Sequence, residues 1–193
     1  MLGVVAMVTN YNEVLYDNET LETQRLLLRR FTKDDAADVL EYGSDEEVLR
    51  YTIWDGVRTI DEAKESIFGY LLQRAGIFAI ELKATGKCIG CIDIRLDVAN
   101  DKFSFGYILN HKYWGMGYMT EALSVVMELC FEELGANRAE SCHYVGNEAS
   151  GKVMAKCGMK LEGVAKQQHK VKGIFQDVCH YGITKADWLA GIK

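Results

Sequence analysis

A chain of 193 residues suits one domain with a substantial core and is too short to make two domains the default. At 49% hydrophobic and 26% charged residues it has ordinary globular composition, and no apolar run approaches the roughly 18 residues that span a bilayer. The formal charge of −6 is uneven, with 18 acids and 11 bases in residues 1–100 against 10 and 11 in the rest, and no basic stripe interleaved with aromatics speaks for nucleic acid.

Residues 1–8 are apolar but short, without a basic segment or small-residue cleavage site, so no signal peptide is expected. Residues 1–20 read as an N-terminal extension without legible chemistry, followed by one domain over 21–190. A strand is expected over 23–31, and Thr32-Lys33-Asp34-Asp35 supplies cap-type residues for a helix to about Tyr42. Thr59 and Glu62 form a capping-box pair that opens a second helix through Ile67, Tyr70, Leu71 and Leu72. Residues 77–82 and 88–96 alternate as strands around the turn Ala84-Thr85-Gly86-Lys87.

Six cysteines lie mostly in apolar segments, and Cys88-x-x-Cys91 is the one close pair. It sits inside a strand pattern. Zinc would want a second pair or a histidine pair, and a redox motif would want a helix start, so core packing in a reducing cytoplasm is expected.

Phe103, Phe105, Tyr107 and Leu109 recur at period two and read as a strand. After them come Gly115 and Gly117, then Met119, Leu123, Val126, Met127, Cys130, Phe131 and Leu134 at helical spacing. Strand, glycine turn and helix start make an anion cradle, because glycine lets the main chain approach a phosphate and the helix start offers unpaired N–H groups. The plainer reading is a tight connection whose glycines serve only the turn.

Residues 138–145 form another strand, Asn147 caps a short helix, and Gly158 ends it. A hairpin over 159–171 and 174–183 turns at Lys172-Gly173. The resulting order β, α, α, β, β, β, α, β, α, β, β fits an α/β domain, a mixed and mostly antiparallel sheet flanked by helices. Gly146-Asn147-Glu148-Ala149-Ser150-Gly151-Lys152-Val153 nearly satisfies a P-loop, but Val153 has no hydroxyl for Mg²⁺. Thr120 stands where a dinucleotide fingerprint needs its third glycine.

Tyr113-Trp114-Gly115-x-Gly117-Tyr118-x-Thr120-Glu121-Ala122 resembles the acyl-CoA pyrophosphate loop of the GNAT superfamily of N-acetyltransferases, most closely the branch of the ribosomal-protein N-terminal acetyltransferases. Thr23-Gln24-Arg25-Leu26-Leu27-Leu28-Arg29 resembles that branch's first strand, and Asn147-x-x-Ser150 with Lys156-Cys157-Gly158-Met159 its second signature. The likeness runs to about Trp188. Trp114 stands where many members carry Gln or Arg, and Met119 where Gly or Ala is usual.

The resemblance implies acetyl-CoA as co-substrate, without a metal. It implies cofactor contacts from Trp114, Gly115, Met116, Gly117, Tyr118, Met119 and Thr120 at the pyrophosphate. Tyr107, Ile108 and Leu109 would meet the thioester, and Asn147 the pantetheine arm. Ser150 would stand near the sulfur as proton donor to the thiolate. For a base, the reading offers His169 or, through water, Glu81. Ala165, Gln167, His169 and Val171 share one strand face, which leaves His169 half buried, and a histidine can titrate near neutrality. Asn147 and Ser150 could equally serve only as helix-start caps, and His169 could be simply packed.

The expected acceptor is a primary amine, first a protein N-terminal α-amine and next a small polyamine or amino compound. A non-catalytic acyl-CoA-binding or regulatory module is the rival. The acidic first half could steer a cationic amine or be only a solvated face. Neither nucleic acid nor a membrane is an expected partner. A homodimer through the final hairpin or the first 20 residues is left open.

Overall fold

The computed structural model describes residues 10–191. The expectation that residues 1–8 are no signal peptide lies outside the described residues. Eight strands form one sheet: β1 (Leu21–Glu22), β2 (Leu26–Arg29), β3 (Ile77–Leu82), β4 (Lys87–Asp97), β5 (Lys102–Leu109), β6 (Arg138–Tyr144), β7 (Lys160–Val171) and β8 (Ile174–Thr184). Their spatial order is β1-β2-β3-β4-β5-β6-β8-β7. All neighbours are antiparallel except β5 and β6, which a helical crossover makes parallel. This is the mixed, mostly antiparallel α/β architecture expected.

Seven α-helices flank the sheet among the described residues: α1 (Tyr11–Asp17), α2 (Ala36–Gly43), α3 (Glu46–Leu49), α4 (Ile60–Ser66), α5 (Tyr118–Glu128), α6 (Glu148–Lys156) and α7 (Lys185–Gly191). Helices α4 and α5 each continue in a π-helical turn, Ile67–Leu71 and Leu129–Glu133. Thr32 and Asp35 form a capping box around a 3₁₀ turn that leads into α2. Thr59 accepts from the Glu62 N–H at 3.2 Å, whereas the Glu62 carboxylate reaches back to the Arg58 N–H at 2.6 Å, one residue beyond the expected partner.

Two cores sit on opposite faces of the sheet. On one, Leu123, Val126 and Met127 of α5 and Met154 of α6 pack on Phe78, Ile80 and Ile92. On the other, Val39 and Tyr42 of α2, Ala63 of α4 and Ile67 beyond it pack on Ile77, Ala79, Cys88 and Cys91. Cys88 and Cys91 face the same side although three apart, because the register slips between Ile80 and Glu81 and leaves Ile89 as an extra residue. Burial pushes both thiols up, that of Cys91 to about 12, so they are packed and protonated as expected.

Two departures concern the first 30 residues. The strand expected over 23–31 shortens to β2, because the chain turns at Thr23, whose N–H donates to the Leu26 carbonyl at 3.0 Å. Within the stretch read as an extension, α1 lays Leu15 into the first core at 4% exposure. The final hairpin turns at Lys172 and Gly173, both with positive φ (48° and 85°), the pair of left-handed residues a type I′ turn demands.

Candidate active site

Strands β5 and β6 pair over only three residues, Lys102–Ser104 against Arg138–Glu140, and then part. The remainder of β5 stays in register with β4 as far as Leu109. Beyond it the Asn110 N–H donates to the Ile89 carbonyl at 2.8 Å. In an antiparallel ladder every second residue turns its N–H and C=O to the same neighbour. Ile108 and Asn110 therefore turn their main chain to β4, and Tyr107 and Leu109 turn theirs into the gap left by β6. Ile108, grouped in the sequence reading with the thioester contacts, has its N–H committed to the other side; Tyr107 and Leu109 are the residues whose N–H groups face the opening. The Leu109 carbonyl takes the Trp114 indole N–H at 2.7 Å, which ties the end of β5 to the following turn.

That turn is built from Asn110 onward. Asn110, 2% exposed, accepts from the Lys112 N–H at 3.0 Å and donates to Glu41 at 3.0 Å, so a 3₁₀ turn over His111–Tyr113 is anchored to α2. Gly115 and Gly117 then take φ of 74° and 81°, the left-handed region that side chains with a Cβ avoid. Gly117 is the N-cap of α5 and has no side-chain oxygen to fill the first turn. The first N–H groups of an 11-residue helix are thus left for an outside acceptor at its positive end. Met119, at 4% exposure, lies in the core under α5, so its bulk points away from the turn. Met116 and Trp114 are exposed, and Trp114 packs on His111 with ring centroids 4.5 Å apart.

Across the gap, α6 starts at Asn147, whose Oδ1 accepts the Ser150 N–H at 3.4 Å, a weak cap. The Tyr107 hydroxyl reaches from β5 to Ser150, 2.9 Å from its carbonyl oxygen and 2.9 Å from its Oγ. Tyr107 and Ser150 so bridge the two walls of the gap. Gly151 allows α6 to sit close to the sheet, since a Cβ there would meet His143 Nε2 at 2.7 Å and the Tyr181 hydroxyl at 3.0 Å. Packing accounts for the glycine of the near-P-loop pattern.

A gap between parted strands and an unfilled helix start thus lie at the end of β5, with the Tyr107–Ser150 hydroxyl pair spanning the gap. Residues 25–160 match the family model of the acetyltransferase (GNAT) domain. The chain belongs to the GNAT acetyltransferase family. It is an acetyl-CoA-dependent N-acetyltransferase. It is 33% identical over 170 residues to the uncharacterized N-acetyltransferase YoaA of Bacillus subtilis, covering 86% of this chain and 96% of that protein. The alanine N-acetyltransferase of ribosomal protein uS5 from Escherichia coli is 29% identical over 86 residues, 45% of this chain and 44% of that enzyme. Among solved structures, a GNAT-family acetyltransferase from Bacillus anthracis superposes with a TM-score of 0.79 at 27% identity, over 86% of this chain and 99% of that one.

The acetyltransferase places its two base candidates differently. Glu81 lies on β3, two strands from the gap, roughly 10 Å away by strand spacing. Its carboxylate accepts from Arg29 Nε at 2.6 Å, and Arg29 also grips Asp35 at 2.9 and 2.7 Å. Hydrogen bonds that the guanidinium donates to Asp35 and Glu81 outweigh burial and hold it firmly charged. Glu81 is thereby spent on joining β2, β3 and α2.

His169 is half buried on β7, with Nδ1 3.4 Å from the Tyr144 hydroxyl at the end of β6. The rings meet edge to face at 5.9 Å. Gln167, expected on the same face as His169, leaves it: a bulge between Ala165 and His169 puts Gln167 at φ 51°, exposed, with its N–H on Asp177 at 2.8 Å. Ala165, His169 and Val171 keep the expected face. The remaining histidines are held by neighbours. His143 is buried beside the Tyr144 carbonyl, His180 bonds Gln168, and His111 faces Asp45. Among the described residues no group of three or more His, Cys, Asp or Glu is placed to hold a metal ion, and no helix is long and apolar enough to cross a membrane.

Sequence reasoning missed Tyr144, and missed the pairing of Arg25 with Glu121. Both of the latter belong to quoted motifs, but nothing in a linear chain joins residues 96 positions apart.

Proposed function

We propose that the acetyltransferase acts on an α-amine at a protein N-terminus and that the gap between β5 and β6 is where the thioester reacts. The observation that carries this reading is the parting of the two strands after Ser104 and Glu140, which leaves the N–H groups of Tyr107 and Leu109 facing the gap. In the reaction the neutral amine attacks the thioester carbonyl carbon, a C–N bond forms, and the carbonyl oxygen gains charge. Tyr107 and Leu109 N–H groups aimed at that oxygen stabilise the charge without having to reorganise. His169 takes one proton from the amine nitrogen. The C–S bond then breaks, and Ser150 hands the thiolate a proton that it regains through water, so amine and acetyl-CoA become amide and free thiol. The main chain from Gly115 to Thr120 holds the diphosphate, and Asn147 the pantetheine arm.

The acceptor is supported by the partial likeness to the ribosomal-protein enzyme of Escherichia coli and by an acidic first half suited to attracting a cationic amine. Thiol release from acetyl-CoA, followed by mass shift over a panel of peptides and small amines, tests both parts. Acetylation of free peptide N-termini in preference to lysine side chains and polyamines is expected. Preference for a small amine would overturn the acceptor, and tight binding without turnover would overturn the chemistry.

A further inference from the structure

Glu121 lies in the first turn of α5, beside the N–H groups that the preceding reading gives to the diphosphate. A bare carboxylate there would repel that anion. It is not bare. The Thr23 hydroxyl donates to Oε1 at 2.5 Å and the Arg25 N–H at 2.9 Å, while Arg25 Nε and Nη2 grip Oε2 at 2.7 and 2.6 Å. Burial alone would raise the Glu121 carboxyl, but these hydrogen bonds and the Arg25 charge hold it below the usual carboxylate range.

The same guanidinium has a second grip. Its Nη1 donates to the Met116 carbonyl at 3.0 Å, and its Cζ lies 4.3 Å from the centroid of the Tyr118 ring. Met116 stands between the two left-handed glycines. A trans peptide points its carbonyl and the next N–H in opposite directions. With the Met116 carbonyl drawn to Arg25, the Gly117 N–H is turned away from Arg25, out of the β2 side of the turn.

We propose that Arg25 is the positioning residue of the diphosphate turn. It cancels Glu121 with one edge of its fork, and with the other it orients the Met116–Gly117 peptide so that the Gly117 N–H is presented to the substrate phosphates. The inference rests on the assignment of that turn to the diphosphate. A lysine cannot replace this function, because one ammonium lacks the planar fork that spans Glu121 and the Met116 carbonyl together.

Two acetyl donors separate the outcomes: acetyl-CoA, and S-acetylpantetheine, which has the thioester but no diphosphate. Arg25→Gln should raise the acetyl-CoA KM about tenfold or more, as expected when a binding group is misplaced, with kcat within about twofold. Its kcat/KM for S-acetylpantetheine should equal that of wild type, and Arg25→Lys should recover only a minor part of the loss. Should Arg25→Gln fail to fold, Arg25→Lys carries the same two-donor comparison. A wild-type enzyme that uses both donors equally well would overturn the diphosphate assignment itself, before any variant is made. With that preference established, an equal loss on both donors, an unchanged acetyl-CoA KM, or full recovery by lysine would overturn the role of Arg25.

Discussion

The Tyr107 hydroxyl stands 2.9 Å from both the carbonyl oxygen and the Oγ of Ser150. One phenolic proton cannot serve both acceptors. If it goes to the carbonyl, the Ser150 hydroxyl is left to donate back to Tyr107; if it goes to Oγ, the serine proton is free to face the gap. Burial pushes the phenol well above its ordinary range, so Tyr107 keeps its proton, and its part in the proposed mechanism is to direct Ser150 rather than to ionise.

Tyr107→Phe removes that direction and keeps the ring. Turnover should fall about tenfold, less than the roughly 10²–10⁴-fold of a general acid itself because Tyr107 only directs one, with the acetyl-CoA KM unchanged. Ser150→Ala should cost at least as much, and the double variant no more than Ser150→Ala alone, since coupled groups are not additive. Multiplicative losses in thiol-release kinetics would separate the two residues.

At Gly117 the constraint is conformational. A Cβ there would meet nothing nearer than Arg25 Nη2 at 3.5 Å, yet φ of 81° disfavours any L side chain. Gly117→Ala should lower stability by about 1–2 kcal/mol and weaken acetyl-CoA binding in calorimetry. Unchanged affinity would mean that the turn does not hold the donor.

The two candidate bases should separate cleanly. His169→Gln is expected to depress kcat with little change in melting temperature. Glu81→Gln leaves Arg29 with Asp35 as its one remaining carboxylate partner, and should cost about 2 kcal/mol of stability while sparing kcat per folded molecule. The reverse pattern, read by kinetics beside thermal melts, would return the base role to Glu81.

Glu41 supplies the pH prediction. Hydrogen bonds from Lys87, Asn110 and Lys112 lower its carboxyl from 4.5 to about 2. A folded value below the unfolded one stabilises the fold above pH 4.5, and that contribution is lost as pH falls through 2. The side chain is about a third exposed, so screening reduces the effect to the order of 1 kcal/mol. Wild type should therefore exceed Glu41→Gln in stability at pH 7, with the difference shrinking between pH 4.5 and 2. A difference that grows on acidification would contradict the pairing.

Much of the architecture was legible in the chain because local rules decide it. Period-two alternation from Phe103 to Leu109 marks β5, and the α5 stripe from Met119 to Met127 is a helix whatever it packs against. Gly115 and Gly117 announce their turn since few other residues tolerate that backbone. The α3 turn and α7 escaped notice because they are four and seven residues long, too short to build a periodic signal.

What the sequence determined alone was the order of the longer elements from β2 to β8, a sheet flanked by helices and the motifs that mark the family, all set by steric preference and hydrophobic spacing over a few residues. Tertiary structure decided which of those residues work together. It gave Ile108 to β4 and Leu109 to the gap, tied Glu81 to Arg29, and joined Arg25 to Glu121 and Tyr107 to Ser150. Hydrogen bonds and ion pairs act over about 3 Å in space and take no account of separation along the chain, so only the closed fold assigns them.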